Sequence, residues 1–178
     1  MPHSRRAFLA SGAALGTVPL LGCGPQLRDL RLSSLPAALE EMRRLGAAPA
    51  LQSQTAWGWA QTLEHLAQSV EYSMTGYPTQ QSALFQLLAG RPAFQLFAWR
   101  GQMRHDLTAP IPGSPALAAG TPLAATSLRL LTACGQFLQW RGPLQPHFAY
   151  GALTHAEYEQ AHAMHLANHF AAFQIPAE

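Results

Sequence analysis

Four histidines crowd the C-terminal part of this chain. His155, His162, His165 and His169, with Tyr158 among them, recur at helical spacing. On a helix they share roughly 80° of arc. A core-facing helix normally carries Leu and Ile on such a stripe. Imidazole there is costly unless something satisfies its nitrogens. Neutral imidazole nitrogen is a good ligand for a borderline divalent metal. Two histidines at i, i+4 can share one ion, as His165 and His169 are spaced. His162 and His165, at i, i+3, form a second suitable pair. A third nitrogen must come from another helix. His65, in Leu63-Glu64-His65-Leu66-Ala67, is the only histidine in the long helical segments before the last. Three protein ligands leave positions open for water or substrate, which is a catalytic type of arrangement.

Each candidate also has a plainer account. A single helical histidine is usually a part-buried polar residue with one hydrogen-bond partner. His155 is expected near its helix N-terminus and exposed. Glu64 points about 100° away from His65 and reads as a bundle-edge charge. Tyr72, two turns beyond His65, and Tyr158, on the histidine stripe, are candidate pocket residues or packing residues with a tethered hydroxyl. His105-Asp106 and His147 read as loop anchors. Cys134 lies in an Ala/Leu-rich helical run and reads as a small buried hydrophobe. There is no Gly-rich phosphate loop, nucleophile elbow or Cys-x-x-Cys.

The helices that must position these groups are punctuated by caps and breakers. Ser33-Ser34 with Pro36 starts a helix over 35–45, and Gly46 stops it. Ser53 or Thr55 caps a second helix over 56–74, where Trp59, Leu63, Leu66, Val70 and Met74 recur at helical spacing. A short helix over 80–89 is stopped by Gly90, and another spans 92–103. Three prolines and a glycine in 106–115 make an ordered extended loop. Thr121 caps a long helix with Pro122 in its first turn, reaching Trp140. Thr154 and Glu157 make a capping box for a last helix over 155–173. No segment alternates cleanly enough for a strand. The expected class is all-α, with four principal helices.

The first residues are not part of that fold. Ser4-Arg5-Arg6-Ala7-Phe8-Leu9 resembles a twin-arginine export motif. The apolar run over 10–21 is too short and Gly-interrupted to span a membrane. It ends in Leu20-Leu21-Gly22-Cys23, which resembles a lipobox whose cysteine is acylated. The expected division is a signal peptide over 1–23, a tether over 24–33 and one helical domain over 34–178. Its location is then outside the cytoplasm, in the periplasm or cell envelope, anchored to a membrane through Cys23. Removing residues 1–22 takes Arg5 and Arg6 and no acid, so net charge falls from +2 to 0. No basic block remains, and no case for nucleic acid. Only 11% of residues are charged and none is lysine, which reads as genomic base composition.

Trp57-Gly58-Trp59 leading into Leu63-Glu64-His65-Leu66-Ala67, with His165-Leu166-Ala167-Asn168-His169-Phe170 near the end, resembles the DinB-like (YfiT-like) superfamily of metal-binding four-helix bundles. Within it the chain is similar to a bacterial family of unknown function. That likeness is carried by Pro78, Trp99-Arg100-Gly101-Gln102, the stretch His105 to Gly113, and His147 to Leu153, and covers about 35–173. The resemblance implies an up-down-down-up bundle with a long broken crossover between helices two and three. It implies one ligand from the second helix and a spaced pair from the last, which are His65, His165 and His169 here. His162 is then an alternate ligand or neighbour.

The expected function is an exported metal-binding protein, a metal-dependent hydrolase or transferase with a three-histidine site. The alternative is a non-catalytic envelope binding or scaffold protein, with a structural ion or a hydrogen-bonded histidine cluster. Zn, Ni or Fe would suit the ligands. The other expected partners are a small-molecule ligand and, as an open option, a second copy in a homodimer.

Overall fold

The computed structural model describes residues 27–118 and 120–176. Arg5, Arg6 and Cys23 lie outside the described residues, and the export and lipidation expectations with them. The described chain is mostly helical. Helix α1 spans Leu35–Gly46, α2 Trp59–Thr75, α3 Ala83–Phe85, α4 Arg91–Arg100, α5 Leu123–Gln139 and α6 His155–Phe170. Two-residue strands, β1 (Gln52–Ser53) and β2 (Phe173–Gln174), pair antiparallel.

Local chemistry explains most of the starts. The Ser34 hydroxyl accepts from the Ala37 amide, and Pro36 occupies the first turn of α1. Thr154 and Glu157 form the expected reciprocal box at α6. Apolar faces then choose partners. α2 packs chiefly on α5, and α1 on α6, with α2 also meeting α6. Leu63, Leu66, Leu130, Phe137, Leu166 and Phe170 are fully buried where these helices meet. Each such side chain contributes about 1.5–3 kcal/mol on leaving water. Arg129 of α5 binds both Glu64 and Glu71 of α2 along the edge of that pair. Glu64 is therefore the edge charge its position suggested. Cys134 is buried, and burial pushes its thiol up to about 12.

Several boundaries differ from the sequence reading. Gly90 does not stop a helix. The chain runs from α3 through a wide turn, Gln86–Gly90, directly into α4. The glycine is there because another segment presses on it: an added Cβ would lie 1.8 Å from the Ala149 carbonyl oxygen. α4 ends at Arg100 rather than Met103, because Gly101 turns left-handed (φ 63°). Thr121 does not cap α5. Its hydroxyl donates to the Ala118 carbonyl, and Pro122 takes the cap position. α6 ends at Phe170, so that Phe173 and Gln174 can pair with Ser53 and Gln52. This small sheet is invisible to periodicity because each strand has two residues.

α2 starts three residues later than expected. The Ser53 hydroxyl donates to the Trp57 carbonyl (2.7 Å) instead of capping the helix, and the cap position falls to Gly58. The proline-rich segment is ordered as expected. Leu107 and Ile111 are buried, and the Asp106 carboxylate accepts from the Thr108 amide and hydroxyl.

The Gly90–Ala149 approach gives a direct test. Gly90→Ala is expected to cost about 1–3 kcal/mol through overpacking. In thermal unfolding that lowers Tm by roughly 2–12 °C. An unchanged Tm would mean that the 147–151 loop does not press on the helix.

Candidate metal centre

The loop before α2 is shaped by what it covers. Trp57 lies 5.0 Å from the His65 ring and stacks parallel to His169 at 6.2 Å. Trp59, at the start of α2, packs on Phe170 and Phe173. The β1–β2 pair ties this loop to the chain leaving α6. The start of α2 is thus held in register with the end of α6, and His65 faces His165 and His169 across the seam.

The three rings are in mutual contact. Ring centroids are 5.2 Å apart for His65–His165, 4.8 Å for His65–His169 and 4.8 Å for His165–His169. One nitrogen from each lies within 4.8 Å of the other two. Nε2 of His65 and Nε2 of His165 are 3.3 Å apart. Two nitrogens bound tetrahedrally to zinc at about 2.0–2.1 Å stand about 3.3 Å apart as well. Nε2 of His169 is buried with no hydrogen-bond partner. An unpaired buried nitrogen is costly, and an ion is one way to satisfy it. Nδ1 of His65 is also unpartnered, and an ion on the Nε2 of that ring would leave it so. The trio could hold a metal ion.

Electrostatics favours the ligand form. Burial, and then the neighbouring imidazoles, hold His165 and His169 well below the usual histidine range. Burial, with His105 adding to it, lowers His65 to about 4. All three rings are neutral near pH 7, so binding need not displace a proton.

His105 joins the cluster from the loop after α4. Its ring lies 5.0 Å from His165 and 5.1 Å from His169. Its Nδ1 contacts the Asp106 carbonyl at 2.8 Å, as a loop anchor would. Sequence reasoning missed its proximity to the trio, because a lone histidine in a loop has no periodicity. The buried Leu107 and Ile111, which fasten this loop to the helices, are the available signal.

The other candidates lie elsewhere. His162 packs against Phe137 and Tyr158, with its Nε2 buried and unpartnered. It is not among the three whose nitrogens converge. His155 is half-buried rather than exposed. It stacks on Phe137 and its Nε2 is 3.0 Å from that residue's carbonyl oxygen, so it serves the C-terminal end of α5. His147 anchors its loop, accepting at Nδ1 from the amides of Ala149 and Tyr150. Tyr158 is fully buried and donates to the Gln145 carbonyl (2.7 Å), while Tyr72 packs on Tyr77.

A cavity of about 340 Å³ opens beside the trio. His65, His105 and His165 line one part of it, and His147 and His162 also border it. The rest is mostly apolar, with Pro110, Ile111 and Pro112 from one loop and Phe148 and Tyr150 from another. Neither Tyr72 nor Tyr158 is among its lining side chains; Tyr150 takes that place. An aromatic and proline-walled space beside three neutral nitrogens can admit a small ligand to a bound ion.

The lowered histidines make acid stability predictable. Burial takes His65 to about 4, and His147 and His162 to about 3. Below pH 6.5 the unfolded chain binds protons that the folded chain refuses. Stability is therefore complete above about pH 7 and falls as pH drops from 6.5 towards 4. Each of these histidines contributes about 1.4 kcal/mol per pH unit in that window. With a chelator present, the urea midpoint should be level above pH 7 and fall steeply below 6.5. A midpoint unchanged from pH 7 to 4.5 would contradict the burial of neutral imidazoles.

No curated protein and no solved structure matches this chain. One family model, described as "Protein of unknown function (DUF1569)", matches residues 24–175, and the chain belongs to that family.

Proposed function

We propose that this chain is a divalent-metal protein whose ion is held by His65 of α2 and by His165 and His169 of α6. The observation that carries this reading is the meeting of three neutral imidazoles from two helices, His65 and His169 buried and His165 partly so, with two of the rings at a tetrahedral edge distance. The architecture we assign is a DinB-like up-down-down-up four-helix bundle of α1, α2, α5 and α6. Support comes from the pairing of α2 with α5 and α1 with α6. The broken, proline-rich stretch between α2 and α5 serves as the crossover.

The activity we assign is that of a metal-dependent hydrolase or transferase, exported and anchored at the cell envelope through Cys23. When bound, the ion would supply Lewis acidity and a water or thiol of lowered pKa. The chain's own part is to hold three nitrogens fixed, to cover the trio with Trp57, and to leave the cavity side open. His105 favours a second reading. Were it to close on the ion as a fourth protein ligand, the centre would be structural and the protein a binding or scaffold protein.

Zinc titration of the metal-free full-length chain tests the assignment. The expected result is one ion per chain. Affinity should fall by more than about 100-fold in His65→Ala, His165→Ala and His169→Ala, since even losing a ligand's outer partner costs 10–100-fold. His162→Ala should bind as the parent does. Equal binding by all four variants would overturn the ligand set. Cobalt in place of zinc separates the two readings. A spectrum shifted by azide in the parent chain indicates an open position and supports the enzyme. An azide-insensitive spectrum that becomes sensitive in His105→Ala indicates the closed, structural centre.

A further inference from the structure

The exposed apolar side chains are unevenly spread. Leu84, Phe85, Leu87, Leu88, Leu96 and Trp99 all lie between α3 and the end of α4. Trp99 is 81% exposed and Leu87 68%, values unusual for large hydrophobic groups. No helix of the described residues is long and apolar enough to cross a membrane. A face like this marks a surface that something covers.

Three observations identify what covers it. The stretch from Thr79 to His105 contains no acidic residue and three arginines, Arg91, Arg100 and Arg104. Arg91 is engaged with Glu157, which leaves the other two near the Trp99 end. The incoming chain is also fastened at this end. The Arg31 guanidinium donates to the Arg100 carbonyl (2.8 Å), and the Gln102 amide donates to the Asp29 carboxylate (3.1 Å). Cys23 stands six residues before Asp29, so it can lie no more than about 21 Å from that contact. An acyl chain on Cys23 would thus hold the bilayer within reach of Trp99. Finally, tryptophan and arginine beside a row of leucines is the composition of a surface that rests in a lipid interface.

We propose that the exposed face of α3 and α4 lies flat on an anionic lipid surface, with Trp99 and Arg100 at the end nearest the anchor. This extends the envelope assignment and rests on it for the position of Cys23. The helical-bundle domain then docks on the membrane through a fixed face rather than swinging on its tether.

Nitroxide labels in the full-length chain test this. The protein is reconstituted in vesicles of phosphatidylethanolamine and phosphatidylglycerol. One label replaces Leu88 (Leu88→Cys) and the other Leu128 (Leu128→Cys). Leu88 and Leu128 are both 66% exposed, and Leu128 lies on α5. Collision with oxygen and with a water-soluble nickel chelate reads the depth of each. The expected result is a label at 88 about 5–10 Å below the headgroups, and a label at 128 in water. Both labels in water would overturn the proposal. So would spin–spin broadening between copies at position 88, which would assign the face to a homodimer. The mass of the chain reports separately on Cys23. A chain without acyl groups whose label at 88 still lies in lipid would sink the anchor and support the docking face.

Discussion

Burial of neutral imidazole in the seam between α2 and α6 is the constraint around which this structure is arranged. His65 and His169 are almost inaccessible, and neither finds a complete set of hydrogen-bond partners. A helical core normally avoids such groups, because an unpaired buried nitrogen costs on the order of 1–3 kcal/mol. Ordinary leucine packing would be more stable and could not bind an ion. The surrounding core carries that cost through the fully buried leucines and phenylalanines of α1, α2, α5 and α6.

The positioning elements make sense in this light. Ser53 gives up a capping role, and α2 starts late, so that Trp57 can lie over the rings. The last helix stops at Phe170 so that the chain can turn back and pair with the residues before Trp57. Gly90 opens space for the 147–151 loop, which forms one wall of the cavity. The proline-rich loop forms another and carries His105 to the trio. Arg129 holds α2 against α5 with two carboxylates, on the side of α2 that Glu64 occupies.

The helical class and the histidine stripe of the last helix were legible in the sequence because both are periodic; the choice of His65, His165 and His169 came from the family resemblance, since spacing alone left His162 open. Caps at Ser34 and Thr154, and the stripe on the last helix, are local signals that tertiary packing did not override. The pair of short strands and the role of Gly90 were not legible. Two-residue strands carry no alternation, and a glycine that stops a helix looks the same as one that admits a carbonyl. His155 and His162 share the stripe of His165 and His169, yet they face Phe137 and the α5 end instead. An 80° arc on one helix is wide enough to meet two different neighbours. His105 escaped notice because contact through a loop leaves no spacing to read.

In the proposed centre three named imidazoles surround one ion. X-ray absorption at the zinc edge tests it most directly, on the full-length chain loaded with one equivalent and purified without a histidine tag. Three nitrogen ligands of imidazole type at about 2.0–2.1 Å are expected, with one lost in His165→Ala. Absence of bound zinc, or an imidazole shell unchanged in that variant, would contradict it.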